Sequence, residues 1–459
     1  MVSDKSIYIK TFGCQMNVYD SDRMRAGLEK NGFRPEPDVR RADVILLNTC
    51  SIREKAEHKV LSLLGQLRTL KDRDPHKVIG VAGCVGQRMG RALLQTIPAL
   101  DFVVGPDAID RLPGILEEVY SKGSRVVDTQ LDGGGRVYSQ PVPSAAWARP
   151  AEFLTVMKGC DHFCSYCIVP FVRGREKSRP IAEIIADVKR LVAAGAKEIT
   201  FLGQNINTYG KGTAETLSQL IDEADRVTEL ERIRYVTSHP RDLNEELMSQ
   251  FGNTPKLCPA LHLPFQAGSD RILKRMARFY TQAEYLAKVE RLRHYCPDIA
   301  LSTDVIVGFP GETEEDFKQT LHLLESVRFS GAFLFKYSSR PGTRASHFTD
   351  EVAEPVKEER LERAQEIAYG WIKKENEGKK GRKEKCLIES LDKKGSYYMG
   401  RSLSNKVVHV LNAGAACLGK IIEVEITDAT VASLKGYYVG APKVSRQMDP
   451  KISASVPPA

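Results

Sequence analysis

Three cysteines fall within eight residues in the stretch KGCDHFCSYCIVPFVRGR: Cys160, Cys164 and Cys167. Structural zinc usually takes four ligands and a redox dithiol two, so a set of three raises the question of what the fourth position is for. A cubane [4Fe–4S] cluster has four irons, each needing a terminal ligand. Three thiolates in a CxxxCxxC loop hold three irons and leave one open, and an open position marks a reactive centre, as it does in catalytic zinc sites. A zinc site is the alternative reading. Three further cysteines, Cys14, Cys50 and Cys84, end the β-rich runs SIYIKTFGC, ADVILLNTC and KVIGVAGC, 36 and 34 residues apart. That is about one strand–helix unit each. The bland reading of this second set is three buried thiols. Cys258, Cys296, Cys386 and Cys417 have no partners at ligand spacing and read as ordinary thiols.

The elements that must position these residues follow from hydrophobic periodicity. In the first segment, strands alternate with amphipathic stretches such as SDRMRAGLEKNG and REKAEHKVLSLLGQLRTL, and DFVVGP reads as a fourth strand. Alternation of this kind predicts a parallel α/β domain with right-handed crossovers over residues 1–130. All strand C-termini of such a sheet lie along one edge, where open α/β domains bind ligands, so Cys14, Cys50 and Cys84 are expected to face one crevice. A Gly- and Pro-rich linker is expected over 131–149.

From residue 150 to 377 a second series begins, with candidate strands FLTVMKG, EITFLGQN, IRYVTSH, ALHLPFQ, LSTDVIVGF and AFLFKYS. Six βα units predict a full or partial (β/α) barrel with its active site at the strands' C-terminal mouth, where the three-cysteine loop also falls. Gln204, Asn205, Ser238, Gln266 and Asp304 lie at or near strand ends. They are candidates for contacting a cofactor or substrate, or for satisfying loop backbone groups. Arg173, Arg175 and Arg179 form a basic cluster suited to phosphate or carboxylate, or else a solvated face. GFPGET offers a weak phosphate-nest signal. In the following helix Leu361, Ala364, Ile367, Ala368 and Trp371 share one face. Five short strands over 378–441, introduced by the basic run KKGRKEK, predict a small β-barrel of a type often used for oligonucleotides. The tail 442–459 reads as disordered.

Composition agrees with a globular chain and sets weak limits on partners. Of 459 residues 42% are hydrophobic and 27% charged, and the formal net charge is +8. That excess mildly favours a polyanion such as nucleic acid. No apolar run approaches the roughly 20 residues of a membrane span, and the N-terminus lacks the pattern of a signal peptide. The expectation is an intracellular, cytoplasmic protein without a membrane partner, in which cysteines serve as ligands or thiols rather than disulfides.

The CxxxCxxC loop after the first barrel strand, with aromatic Tyr166 before its last cysteine, resembles that of radical S-adenosylmethionine enzymes. With TFGCQMNVYDSDRM, NTCSIREKAEHKV, LGQNINTYG, SHPRDL, LHLPFQAGSD and VIVGFPGETEEDF added, the chain resembles the tRNA methylthiotransferases of the MiaB type over about residues 7–440. The resemblance implies a transferase that converts N6-isopentenyladenosine at tRNA position 37, in the anticodon loop, to its 2-methylthio derivative. It implies two [4Fe–4S] clusters: a cofactor-cleaving one on Cys160, Cys164 and Cys167, and an auxiliary one on Cys14, Cys50 and Cys84, all six counted as catalytic. S-adenosylmethionine would serve as both radical source and methyl donor; Tyr166 and, by their strand-end positions, Gln204, Asn205, Ser238, Gln266 and Asp304 are the candidates to contact it or the substrate adenosine. The C-terminal barrel would be TRAM-like and bind tRNA. Electron-donor and sulfur-donor proteins are expected partners, and a monomer is expected. Relatives acting on another adenosine derivative or a ribosomal protein are the alternative within the family, although QMN and SIREKAE favour the isopentenyladenosine type. A non-catalytic, metal-loaded RNA-binding protein is the alternative outside it.

Overall fold

The computed structural model describes residues 4–51, 54–131 and 148–440, so most of the expected linker and the whole expected tail lie outside the described residues. The chain divides into two compact units, Met1–Ile372 and Lys373–Ala459.

The first unit begins with a six-stranded parallel sheet: β1 (Ser6–Thr11), β2 (Arg34–Pro35), β3 (Val44–Thr49), β4 (Val78–Gly83), β5 (Phe102–Val104) and β6 (Val126–Asp128), in the order β2-β1-β3-β4-β5-β6. All six residues of β3 and of β4 are buried, as expected for a parallel sheet covered on both faces. Alternation assigns the faces: Val44 and Leu46 join one core, while Ile45 and Leu47 join the other. The first core also takes Met24 and Leu28 from α1 (Gln15–Lys30), and the second takes Leu64 and Leu67 from α2 (Glu54–Arg73) and Leu93 from α3 (Cys84–Thr96). The helix α4 (Leu112–Lys122) packs Leu116 and Val119 on the first face. The short edge strands β2 and β6 were not anticipated. Two and three residues long, they are too brief to show a period.

The second half of this unit is an open parallel barrel. β7 (Ala151–Thr155) is followed by the two-residue β8 (Met157–Lys158), which pairs antiparallel with β9 (Lys177–Ser178) across the base of the three-cysteine loop. The helix α5 (Val169–Arg173) lies inside that loop's return. β10 (Glu198–Leu202) and β11 (Arg232–Tyr235) complete one three-stranded sheet with β7, and β12 (Ala260–His262), β13 (Ala300–Val307) and β14 (Gly331–Lys336) form another. Backbone bonds from Ile233 N to Lys256 O (2.7 Å) and from Cys258 N to Ile233 O (2.9 Å) join the two. Among the described residues β14 pairs with β13 alone, so the six strands form a partial barrel. One large core holds its outer face, and Leu361, Ala364, Ile367 and Ala368 of the helix Glu354–Glu377 pack on it as the helical period predicts. Trp371, on the same face, has the Arg328 guanidinium 4.5 Å above its ring.

The second unit is a closed five-stranded barrel of β15 (Lys383–Leu391), β16 (Tyr398–Ser402), β17 (Val407–Val410), β18 (Ile421–Ala429) and β19 (Ser433–Tyr438). Its strands match the five read from sequence. No helix among the described residues is long and apolar enough to cross a membrane.

Candidate active site

Cys14 caps the start of α1 just past β1, Cys50 follows β3, and Cys84 opens α3 directly after β4. Because β1, β3 and β4 are neighbours in the sheet, parallel geometry brings the three cysteines to adjacent strand ends. Gly13 makes the approach possible. Its φ is +126°, and a Cβ there would stand 2.3 Å from Cys50 Cβ. Two buried amides frame the group: Asn17 Nδ2 donates to Asn48 Oδ1 (3.2 Å) and Thr49 O (3.0 Å), and Asn48 Nδ2 donates to Asn17 O (2.7 Å). Cys14 Sγ in turn donates to Asn17 Oδ1 at 3.2 Å. A hydrogen bond with Cys50, helped by the Arg173 guanidinium and opposed by burial, lowers the Cys14 thiol from 9.0 to about 6. Burial pushes Cys84 the other way, although Arg173 opposes it.

Gly159, with φ +80°, lets the second loop leave β8 against the Arg175 carbonyl, which a Cβ would meet at 2.0 Å. The loop is then tied down by Ser165, whose N–H donates to Met276 O (2.9 Å) and whose hydroxyl donates to Arg275 O (3.0 Å). Burial pushes the Cys160 and Cys167 thiols up to about 12. Left alone they are protonated at neutral pH, and a bound metal would displace those protons. Tyr166 is half-buried against the barrel core, and burial raises its phenol well above the ordinary value. Arg278, which sequence reading missed, is buried beside this loop: it donates to Pro264 O (2.8 Å), to the Tyr280 hydroxyl (3.2 Å) and to Cys164 Sγ (3.7 Å).

The two triads are neighbours. Ile168, the residue after Cys167, packs with Val172 of α5 directly on Cys84. Arg173, at the end of α5, donates from Nε to Cys84 Sγ (3.4 Å) and pairs with Asp20 of α1 (2.7 Å). The expected basic cluster is therefore taken apart. Arg173 is buried at the N-terminal triad, and Arg179 is buried on Asp187 (2.5 Å) and Thr155 O (3.0 Å). Only Arg175 is solvated, paired with Asp161.

The polar mouth residues separate into two groups. Asn205 and Ser238 lie past the ends of β10 and β11, and Asn205 Nδ2 donates to Asp242 (2.8 Å). Asn205 Oδ1, Ser238 Oγ and His239 Nε2 are buried without a protein partner, a set of orphans that a ligand would satisfy. Gln204 has a structural task, accepting the Gly159 N–H. Gln266, at φ +69°, bridges the β13 backbone through Asp304 O and Ile306 N. Asp304 faces His262 Nε2 at 3.5 Å. The GFPGET loop is closed by protein rather than offered to phosphate. Gly308 N donates to Glu312, which pairs with Arg360 (2.9 Å), and Gly311 N donates to Asp350 O.

Each set offers three thiols, the number that holds three irons of a [4Fe–4S] cluster and leaves one open. Thiolates on one zinc, each about 2.3 Å from the metal, sit about 4 Å apart. Among the described residues neither triad gathers its sulfurs within 4.8 Å of one another. His162, His239 and Asp242 do meet that limit, but the two imidazoles are stacked 4.0 Å apart at 10°. Lone pairs in parallel ring planes do not converge on one ion.

Residues 6–105 match the family described as uncharacterized protein family UPF0004, and residues 154–324 match the radical SAM superfamily. A tRNA-2-methylthio-N(6)-dimethylallyladenosine synthase from Syntrophus aciditrophicus is 43% identical over 94% of this chain and 94% of its own. One of the same name from Syntrophobacter fumaroxidans is 45% identical, covering 95% and 96%. Among solved structures, a radical S-adenosylmethionine methyltransferase, TsrM, from Kitasatospora setae shares the fold with a TM-score of 0.55 at 15% identity, covering 75% of each chain.

Proposed function

This chain belongs to the tRNA-2-methylthio-N(6)-dimethylallyladenosine synthase family of radical SAM enzymes, and from that premise we propose that its two cysteine triads divide the reaction between them. The chain is a methylthiotransferase of tRNA, and its superfamily implies a [4Fe–4S] cluster and S-adenosylmethionine. Cys160, Cys164 and Cys167 would hold that cluster, and Cys14, Cys50 and Cys84 a second. Bound at the loop, the first would supply the one-electron chemistry that cleaves S-adenosylmethionine and activates an unreactive C–H. The substrate is N6-dimethylallyladenosine at position 37 of the anticodon loop, a base already partly unpaired, so presenting it costs only a few kcal/mol.

The residues around the triads have separable tasks in this reading. Asn205 Oδ1 accepts, and His239 Nε2 donates because its Nδ1 already accepts the Arg241 N–H (3.2 Å). Together with Ser238 they would orient an adenosine by its polar edges. Gln204 and Ser165 fix the loop, and Ile168 and Val172 exclude water between the triads. The observation that carries the proposal is the packing of Ile168 on Cys84, which puts two three-thiol sets within one layer of side chains. Two open positions side by side suit a reaction needing a radical generator and a separate site presenting sulfur.

The test replaces each triad with alanine in the full chain. Loss of Cys160, Cys164 and Cys167 is expected to abolish 5′-deoxyadenosine formation while one cluster remains. Loss of Cys14, Cys50 and Cys84 is expected to spare 5′-deoxyadenosine formation but stop the methylthiolated nucleoside, read by mass spectrometry of digested tRNA. Methylthiolated product from the second variant would refute the division of labour.

A further inference from the structure

We propose that Arg278 is a positioning residue for the radical-loop cluster, supplying a buried positive charge that is balanced by the Cys164 thiolate when it holds that cluster. The inference rests on the cluster assignment proposed above. Arg278 is 5% exposed, and a buried guanidinium without a counterion is strongly unfavourable. Among the described residues no carboxylate pairs with it. Its contacts are a carbonyl (Pro264), a phenol (Tyr280) and the sulfur of Cys164 at 3.7 Å. The other arginine that touches a triad differs in this respect: Arg173, on Cys84, is already neutralised by Asp20.

A second observation points to the same residue. Ala277 and Phe279, on either side of Arg278, both have positive φ, +56° and +55°. Neither is glycine, and left-handed backbone at such residues costs of order 1–3 kcal/mol each, persisting only where the surroundings over-determine it. The surroundings here are the cysteine loop itself, since Ser165 takes the carbonyls of Arg275 and Met276. Two strained residues turn one side chain inward while Phe279 stays 63% exposed. The segment is thus wired at one end to the loop backbone and at the other to a loop sulfur.

Hydrogen bonds and positive charge at cluster sulfurs favour the reduced state. Arg278 therefore makes the loop cluster easier to reduce, the step that precedes cofactor cleavage. The experiment uses the full-length reconstituted protein with Arg278→Met and Arg278→Lys. The readouts are iron content and the midpoint potential of the EPR signal that S-adenosylmethionine perturbs. Arg278→Met is expected to retain iron, shift that potential negative and slow 5′-deoxyadenosine formation about tenfold or more at fixed reductant, the scale of one charged hydrogen bond. Arg278→Lys is expected to restore most of the shift. A potential in Arg278→Met equal to the unsubstituted protein's overturns the proposal, as do equal shifts in both variants, which would make shape rather than charge the cause. Should Arg278→Met lose the loop iron, Arg278→Lys decides: iron at a near-native potential supports the role, and loss of iron there too overturns it. Failure of the underlying assignment looks different, because the unsubstituted protein would then hold zinc and no iron at the loop.

Discussion

At position 13 there is room for a hydrogen and nothing more. A methyl group would stand 2.3 Å from Cys50 Cβ and 3.2 Å from its sulfur, on backbone at φ +126°. Since the clash is with a proposed ligand, Gly13→Ala is expected to disturb the N-terminal triad before it disturbs the fold. Iron in the reconstituted chain should fall from about eight to about four atoms, with 5′-deoxyadenosine formation retained and methylthiolated product lost. Full iron in that variant would show that the Gly13–Cys50 approach does not matter. Cysteine positions of this kind are legible in sequence because residue type and strand-end placement coincide there. Asn17, Asn48, Arg278 and the His162–His239 stack were not legible as site residues. Their roles come from burial, and a polar letter in a sequence looks the same whether it faces water or a sulfur atom.

The same difficulty governs the elements. SDRMRAGLEKNG reads as an amphipathic stretch, and α1 is indeed a helix, but several of its polar side chains are buried. Asp20 pairs with Arg173, Asp22 with Arg149 and Arg23 with Asp110, while Met16 Sδ accepts from the Thr155 hydroxyl of β7. Periodicity locates a helix because one face is apolar, but it cannot reveal that the polar side chains meet matching charges from distant parts of the chain. The sheet and barrel were legible for the opposite reason: buried parallel strands announce themselves as continuous apolar runs. A double-mutant cycle tests what α1 and α5 do for each other. Asp20→Asn leaves Arg173 buried without its carboxylate, and Arg173→Met leaves Asp20 equally stranded. Each is expected to cost about 3–5 kcal/mol, read as lowered thermal midpoint and loss of N-terminal iron. The double substitution strands neither charge and should recover a large part of that stability, though not the Arg173 contact to Cys84. Additive losses in the cycle would mean that the pair is not coupled.

For the whole molecule, the remaining question is how a chain with ordinary hydrophobic content holds a polyanion. The net charge of +8 is unevenly spread: residues 373–440 carry 13 Lys and Arg against 8 Asp and Glu. The basic run before and within β15 is less open than its letters suggest. Lys379 is held by Glu384 (2.7 Å), Lys380 by Asp428 (3.5 Å) and Lys383 by Glu423 (3.9 Å). Those acids come from β15 itself and from β18, some 40 residues further on, so no local charge count anticipates them. The latter two pairs are exposed and worth little, and a phosphate can compete for such lysines. We therefore expect the closed barrel, proposed here as a TRAM-like tRNA-binding module, to contribute affinity rather than chemistry. Phosphate contacts release counterions, so log K falls with log salt in proportion to the number of phosphates neutralised. Deleting residues 378–441 is expected to weaken tRNA binding, to reduce that slope, and to leave iron content and 5′-deoxyadenosine formation unchanged. The clusters should survive because all six cysteines and Arg173 lie within the first compact unit. Affinity and salt slope equal to the full chain's would remove the barrel from tRNA binding and transfer that role to the first unit.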